Sequence, residues 1–259
     1  MLNLIARLGR SLINFATEFG EIVILLLNII RYLPRAYKDR RLIIEQMSVV
    51  GADSLPLVIL IGSFTGAIAA LQATSLFTKF NLIELARPFI GGSIATVVFT
   101  ELTPVLTALV IAGRVGGAMA AEIGTMQVSE QIDAMEMMAI DKSRFLGLPR
   151  LLAGLLMMPV LAVFSNIVAL VGGFILTSVK FGFSSYTFFD SVQNFFLMRE
   201  VMIGITKSLV FGGITALIGC HVGFRTTGGA EGVGNSTVRA FTITAATILV
   251  IDACFGFIF

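Results

Sequence analysis

The sequence predicts an all-α membrane protein: an N-terminal interfacial amphipathic helix, then five transmembrane helices, with a folded cytosolic segment between spans two and three. Three observations carry this. Only 13% of the 259 residues are charged and 56% are hydrophobic, where a soluble domain carries about 25% charge, so too little polar surface remains to coat a globule in water. Long apolar runs recur along the chain and the mean hydropathy is +0.95. Between two of these runs, residues 114–150 carry Arg114, Glu122, Glu130, Asp133, Glu136, Asp141, Lys142, Arg144 and Arg150. That stretch is too polar to cross lipid and too long for a simple turn. It reads as a folded elbow that docks a partner protein.

Residues 1–50 form the interfacial region. Asn3, Arg7, Arg10, Asn14, Thr17, Glu21, Asn28 and Arg31 recur at helical spacing among Leu, Ile, Val and Phe, which makes one narrow polar face on an otherwise apolar helix. A helix lying in the membrane interface carries such a line along its whole length; a spanning helix does not. The alternative, a first span over Ile22–Ile30, would be only about 14 Å long, too short to cross. Pro34 ends the helix. Arg35, Lys38, Arg40 and Arg41 then form a basic knot suited to anionic headgroups, and a second amphipathic piece leads to Pro56.

The spans are expected at 55–77, 89–112, 151–179, 201–220 and 238–259. The first holds Gly62-x-x-x-Gly66, a close-packing signal. The second contains Glu101 and, three residues on, Pro104, which removes a backbone hydrogen bond and opens or kinks the helix. The third is longer than a bilayer needs and should tilt. Residues 180–200 are aromatic and mildly polar, as an interfacial loop should be. The fourth span contains Lys207, a glycine-rich turn follows over Gly223–Asn235, and the fifth span contains Asp252. Seven Lys and Arg precede the first span, four lie in the elbow and two (Arg225 and Arg239) flank the glycine turn, against four on the opposite side. The positive-inside rule therefore places the N-terminus, the elbow and the glycine turn in the cytoplasm.

An ionisable group at the bilayer centre costs at least about 2.5 kcal/mol. Counting helical rise from the span ends puts Glu101 near mid-depth, about 20 Å in, and Lys207 and Asp252 about 10 Å below the outer face. Lys207 and Asp252 are thus a plausible pair. Two readings stay open: the three charges clamp helices together, with Lys207 snorkelling outward, or they line a polar cavity for a substrate headgroup.

No constellation for catalysis or metal binding is present. H-E-x-x-H and G-x-S-x-G are absent. Cys220 and Cys254 have no metal-ligand company. His221 reads as a hydrogen-bonded boundary residue. Gly204 to Ser208 ends like a P-loop but lacks its glycine spacing. The chain is expected to be non-catalytic, without cofactor or metal, and its net charge of +2 is too small to argue for nucleic acid. No cleavable signal or plastid leader is expected.

The run Thr100 to Leu109, then Ala112-Gly113-Arg114-Val115-Gly116, Ala121 to Met126, Ser129 to Glu136 and the turn Thr226 to Gly234 resembles the MlaE (YrbE) family of ABC-transporter permeases over nearly the whole chain. The resemblance implies a homodimer of five-span subunits in the bacterial inner membrane. Two cytosolic ABC ATPase subunits would bind beneath it, a periplasmic MCE-domain protein would form a ring above, and a small STAS-domain protein often joins the ATPase. It implies movement of glycerophospholipids between inner membrane and periplasm, in support of outer-membrane lipid asymmetry. It makes the elbow a coupling helix, with Glu122, Gly124, Glu130 and Asp133 as coupling residues, and makes Glu101, Lys207 and Asp252 charges of the lipid cavity. Two departures stand out: Thr100 and Asn235, where relatives often have Arg. Without an Arg at position 100, a lipid phosphate must be met by Lys207 or backbone donors, or the lipid differs.

On the residues alone, the elbow's small residues and its Met cluster (Met126, Met135, Met137, Met138) suit an adaptable partner surface. They also suit a Met-rich helix tucked under its own membrane domain. A reading from another class is an ion-gradient-driven carrier or channel using Glu101 and Asp252 as a proton relay.

Overall fold

The computed structural model describes residues 2–195 and 197–258, leaving the side chains of residues 2–12, 14, 15 and 83 outside the description. Among the described residues there is no strand. Five helical stretches are long and apolar enough to cross a membrane: Arg40–Lys79, Glu84–Val128, Ser143–Phe181, Met198–Phe224 and Gly229–Ile258.

Helix α1 (Leu2–Arg31) is 30 residues long. The polar positions expected at Asn3, Arg7, Arg10 and Asn14 lie outside the described side chains; further along, Ile29 is fully buried while Ile24, Leu27 and Ile30 stay exposed. A tight turn at Leu33–Arg35, with Pro34 inside it, ends the helix. Helix α2 (Arg40–Val50) then leads through Gly51 into α3 (Leu55–Lys79), which starts on Pro56, a residue whose fixed φ and missing N–H suit a helix start.

The second membrane stretch is a single rod of three α segments: α4 (Ile83–Val97), α5 (Thr103–Ile111) and α6 (Gly117–Val128). Widened π turns at Val98–Leu102 and Ala112–Gly116 join them. The first follows from Pro104. Proline has no N–H to return to the preceding turn, and the helix absorbs the gap with a bond from the Thr103 N–H back to the Val98 carbonyl. The helix thus runs to Val128, well beyond Ala112. A short α7 (Gln131–Met137) follows, and a third π turn at Ser143–Gly147 opens α8 (Leu148–Phe181). The polar stretch 114–150 is therefore two helix ends with a small helix between them.

Past α8, residues 180–200 fold rather than loop: α9 (Ser185–Phe195) packs on α4, where Gly91 meets the Phe188 carbonyl and Gly92 donates to the Ser191 hydroxyl. Phe188 is 1% exposed, so burial of an aromatic face orders this segment. Helix α10 (Met198–Phe224) runs through the middle of the bundle, and α11 (Gly229–Ile258) follows a turn through Gly228 at φ 91° and Gly229 at φ 64°. Most of the glycine-rich stretch is thus the first turns of α11. The end of the last span at Phe259 lies outside the described residues.

Small residues set the helix spacing. A Cβ on Gly66 would lie 1.7 Å from the Ala169 carbonyl oxygen, and Gly154 and Gly212 face each other's backbone. The glycine pair of the first span is thus the seam between α3 and α8, as close backbone packing in membranes requires. One core, including Ile29, Val58, Ile111, Leu161 and Phe211, joins α1, α3, α5, α8 and α10.

Candidate functional site

Lys207 lies on α10 and is 1% exposed. Its Nζ donates to Glu101 Oε2 at 2.8 Å and to Asp252 Oδ1 at 2.8 Å. Glu101 sits in the first widened turn and Asp252 near the end of α11, so one ammonium ties together the second, fourth and fifth membrane stretches. The Glu101 side chain is 49% exposed and that of Asp252 20%. Formal charge at this point is one cation against two carboxylates. The sequence expectation of different depths for Glu101 and Lys207 gives way to direct contact: rise counted from span ends ignores tilt and the widened turn. Lys207 does not snorkel, and with two carboxylates on it the ammonium is not free for a lipid phosphate. Thr100 donates to the Thr96 carbonyl of its own helix at 2.8 Å, and Thr96 donates to Glu200 Oε2 at 2.9 Å.

The elbow is held by ion pairs that close over long sequence distances. Arg150 on α8 is 3% exposed; its Nη2 lies 2.8 Å from Glu122 Oε2 on α6, and Nη1 donates to the Leu146 carbonyl. Arg144 grips Asp39 with two bonds, at 3.0 and 3.1 Å. The Tyr32 hydroxyl donates to Asp141 Oδ2 at 2.9 Å, while Asp141 Oδ1 accepts the Ser143 N–H at 2.7 Å. Burial pushes the Asp141 carboxyl up, but the bonds from Tyr32, Ser143 and Arg144 outweigh it and hold the carboxyl below its ordinary value. The same bond to Asp141 pushes the Tyr32 phenol up. Lys142 pairs with Glu136 at 2.9 Å. Helix α1 is pinned to the same face, with Glu21 bound to Arg225 at 2.7 Å and Glu18 to Arg239. His221 is buried beside them with Nε2 unpartnered and Glu21 3.9 Å away.

Helix α7 anchors through Ile132, fully buried against Ile123, Leu146 and Cys220. Past it the chain turns outward: Met137 is 89% exposed, Met138 64% and Ile140 38%. Glu130 caps α7 in the left-handed region at φ 60°, a conformation that disfavours residues bearing a Cβ. Glu130 and Asp133 are exposed, whereas Gly124 is buried, and a Cβ there would lie 2.8 Å from the Thr226 hydroxyl.

Residues 43–258 match the family described as Permease MlaE. The chain belongs to the MlaE permease family. It is 42% identical over 212 residues to a probable ABC transporter permease protein of Synechocystis sp., covering 82% of this chain and 79% of that one. A probable ABC transporter permease protein of Rickettsia bellii is 35% identical over 254 residues, 96% of this chain and 95% of its own. The intermembrane phospholipid transport system permease protein MlaE of Haemophilus influenzae is 31% identical over 253 residues, 97% of this chain and 95% of its own.

In this MlaE-family permease, the structure brings together Glu101, Lys207 and Asp252 at one point. It separates the elbow residues into two kinds. Glu130 and Asp133 are exposed and make no ion pair among the described residues, while Glu122, although exposed, is paired to Arg150, and Gly124 packs against Thr226. Sequence reasoning missed Tyr32, Asp39, Asp141, Arg144 and Arg150 as a set. The one local signal was Asp141-x-Ser143, a side-chain-to-backbone turn pattern; Tyr32 and Asp141, and Asp39 and Arg144, stand 109 and 105 residues apart and leave no local trace, and Arg150 meets Glu122 from another helix. Among the described residues no group of three His, Cys, Asp or Glu gathers so as to hold a metal ion.

Proposed function

We propose that this chain is the membrane subunit of an ABC transporter that moves glycerophospholipids between the inner membrane and the periplasm, supporting outer-membrane lipid asymmetry. The family match and the phospholipid transport named for the Haemophilus relative support the lipid assignment. The observation that carries the mechanism is the unbroken rod from α4 to α6. It joins the elbow to the Glu101 turn over 27 residues, about 40 Å of helix. Force applied beside α7 therefore reaches the ion triad through rigid structure.

In this reading a cytosolic ATPase seats the exposed ridge of Met137, Met138 and Ile140 in a groove, with Glu130 and Asp133 at its rim. An exposed apolar patch rimmed by charge suits a protein partner, and Met surfaces adapt to a partner that moves. ATP-driven closure pushes α7, tilts the α4–α6 rod and loosens Glu101 from Lys207, so that the headgroup site opens and closes. Two copies would pair through α11, whose buried residues are only Ala240, Thr244 and Ile248 among the described ones. A periplasmic MCE-domain ring and a STAS-domain protein on the ATPase complete the assembly by family resemblance. The excess of Lys and Arg on the elbow face supports a cytoplasmic side for that face and for the N-terminus.

The test is charge reversal at the open positions. Glu130→Lys with Asp133→Lys should lower lipid-stimulated ATP hydrolysis by the assembled complex about tenfold, equivalent to about 1.4 kcal/mol of coupling, with the chain still folded. Unchanged hydrolysis would remove the elbow as coupler. A second reading, a gradient-driven carrier, is favoured by the surplus carboxylate of the triad; it requires that the purified chain bring down no ATP-binding partner and still move lipid or ions.

A further inference from the structure

We infer that the apolar groove between α1, α8 and α10 holds one acyl chain of an anionic membrane phospholipid, with its headgroup against Arg31 and Arg35. This would be a resident lipid, separate from the one transported. The groove has a volume of about 320 Å³, and every residue that lines it is Leu, Ile, Val or Gly. Its walls are Leu26 and Ile30 from the end of α1, Leu33 from the turn after it, Leu152 and Leu155 from α8, and Ile214 from α10. Water occupies about 30 Å³ per molecule and needs polar partners, so these walls exclude it and call for hydrocarbon. From Leu148 to Leu155 the α8 wall climbs about 10 Å into the membrane. The shape is that of a slot for a chain entering from the elbow face.

Charge says which lipid. Arg144, Arg150, Arg225 and Arg239 on this face are each taken by a carboxylate, namely Asp39, Glu122, Glu21 and Glu18. Arg31 and Arg35, which flank the groove residue Leu33 in the chain, are exposed and have no ion-pair partner among the described residues. Arg35 is held over the Tyr32 ring at 5.9 Å, and Tyr32 is itself fixed by Asp141. Arg31 and Arg35, with Lys38, Arg40 and Arg41 just beyond them in the chain, thus give this end of the apolar slot positive charge that no carboxylate among the described residues answers. A basic side chain beside an anionic headgroup strengthens binding about fivefold.

The full chain, stripped of lipid in detergent and then given mixed micelles of phosphatidylglycerol and phosphatidylethanolamine in equal amounts, is read by native mass spectrometry. The wild type should retain one phosphatidylglycerol per chain in preference to phosphatidylethanolamine. Ile214→Trp fills the groove and should abolish retention. Arg31→Gln with Arg35→Gln leaves the groove intact; it should keep a bound lipid and lower the preference at least about fivefold. Glu101→Gln, at the proposed transport site, should leave the retained lipid in place. Equal retention of both lipids by the wild type would overturn the inference. So would phosphatidylglycerol binding that survives Ile214→Trp but not Glu101→Gln, or a cysteine placed at Leu152 that crosslinks to a second protein chain rather than to a photoreactive lipid.

Discussion

The triad inside the membrane and the ion pairs of the elbow use charge in opposite ways. In the membrane, one ammonium that is 1% exposed answers two carboxylates. At the elbow face, Arg144, Arg150 and Arg225 each answer one carboxylate; the Arg144 side chain is 36% exposed and that of Arg225 50%, while Arg150 at 3% is buried against Glu122 at 57%. Exposed pairs contribute little because water screens them, whereas a charge left alone in a buried site costs several kcal/mol. The Arg144 and Arg225 pairs are latches that can open and close cheaply, whereas Arg150 is held like the buried ammonium. The triad's ammonium is costly to strand, so a step that frees one carboxylate is cheap only while the other stays bound.

That contrast can be broken most severely at Lys207. Lys207→Ala should leave two facing carboxylates in the membrane and cost about 3–5 kcal/mol, read as a lost or sharply lowered melting transition of the purified chain in detergent. Combining Lys207→Met with Glu101→Gln and Asp252→Asn should restore most of the melting temperature but not lipid movement. If Lys207→Ala melts like the wild type, the triad is no different from a surface pair. A plain exchange of Lys207 and Asp252 is less informative than a two-member pair would allow, since the new carboxylate at position 207 would face Glu101.

Next in size is Arg150→Ala, which removes a buried guanidinium bound to Glu122 and to the Leu146 carbonyl; a loss of about 2 kcal/mol is expected, with faster proteolysis across residues 128–148. Glu122→Gln, altering the exposed partner of the same pair, should lose less. Equal losses would show that both partners behave as buried.

The Tyr32–Asp141 latch sharpens the comparison through pH. The Asp141 carboxyl is held low in the folded chain, so its contribution is present above about pH 4, the ordinary carboxylate value, and is lost as pH falls through the lowered folded value. The Tyr32 phenol is raised, so its contribution is present below about pH 10 and is lost as pH climbs through the raised folded value. Protease protection of the elbow should be flat between these limits and decline at both ends, and Asp141→Asn should erase the decline on the acid side. The smallest effect is expected for Lys142→Ala, whose pair with Glu136 is open to solvent on both sides; no measurable change in melting should follow.

The membrane stretches were legible because a long run without charge has little use outside lipid, and Glu101, Lys207 and Asp252 stood out because charge in such a run is rare. Pro104 even marked the turn that carries Glu101. The helix from Ala112 to Val128 was not legible. Gly116, Gly117 and Gly124 look like chain breakers or partner-facing contacts. At each, a threonine from another part of the chain packs close: a Cβ would meet the Thr215 and Thr237 methyls at 3.1 Å and the Thr226 hydroxyl at 2.8 Å. Helix α9 was hidden for a related reason, since its order comes from Phe188 buried under α4 and not from its own polar, aromatic residues.

The buried positions of α11, Ala240, Thr244 and Ile248, follow one another at steps of four, and a further step arrives at Asp252. The polar ties of this helix sit at its two ends: Arg239 to Glu18 and Ser236 to Thr226 at the elbow end, Asp252 to Lys207 at the other. A beam held at both ends keeps its place when one support goes, but its free end can swing. Loosening Asp252 would therefore let the far end move about the end that stays tied.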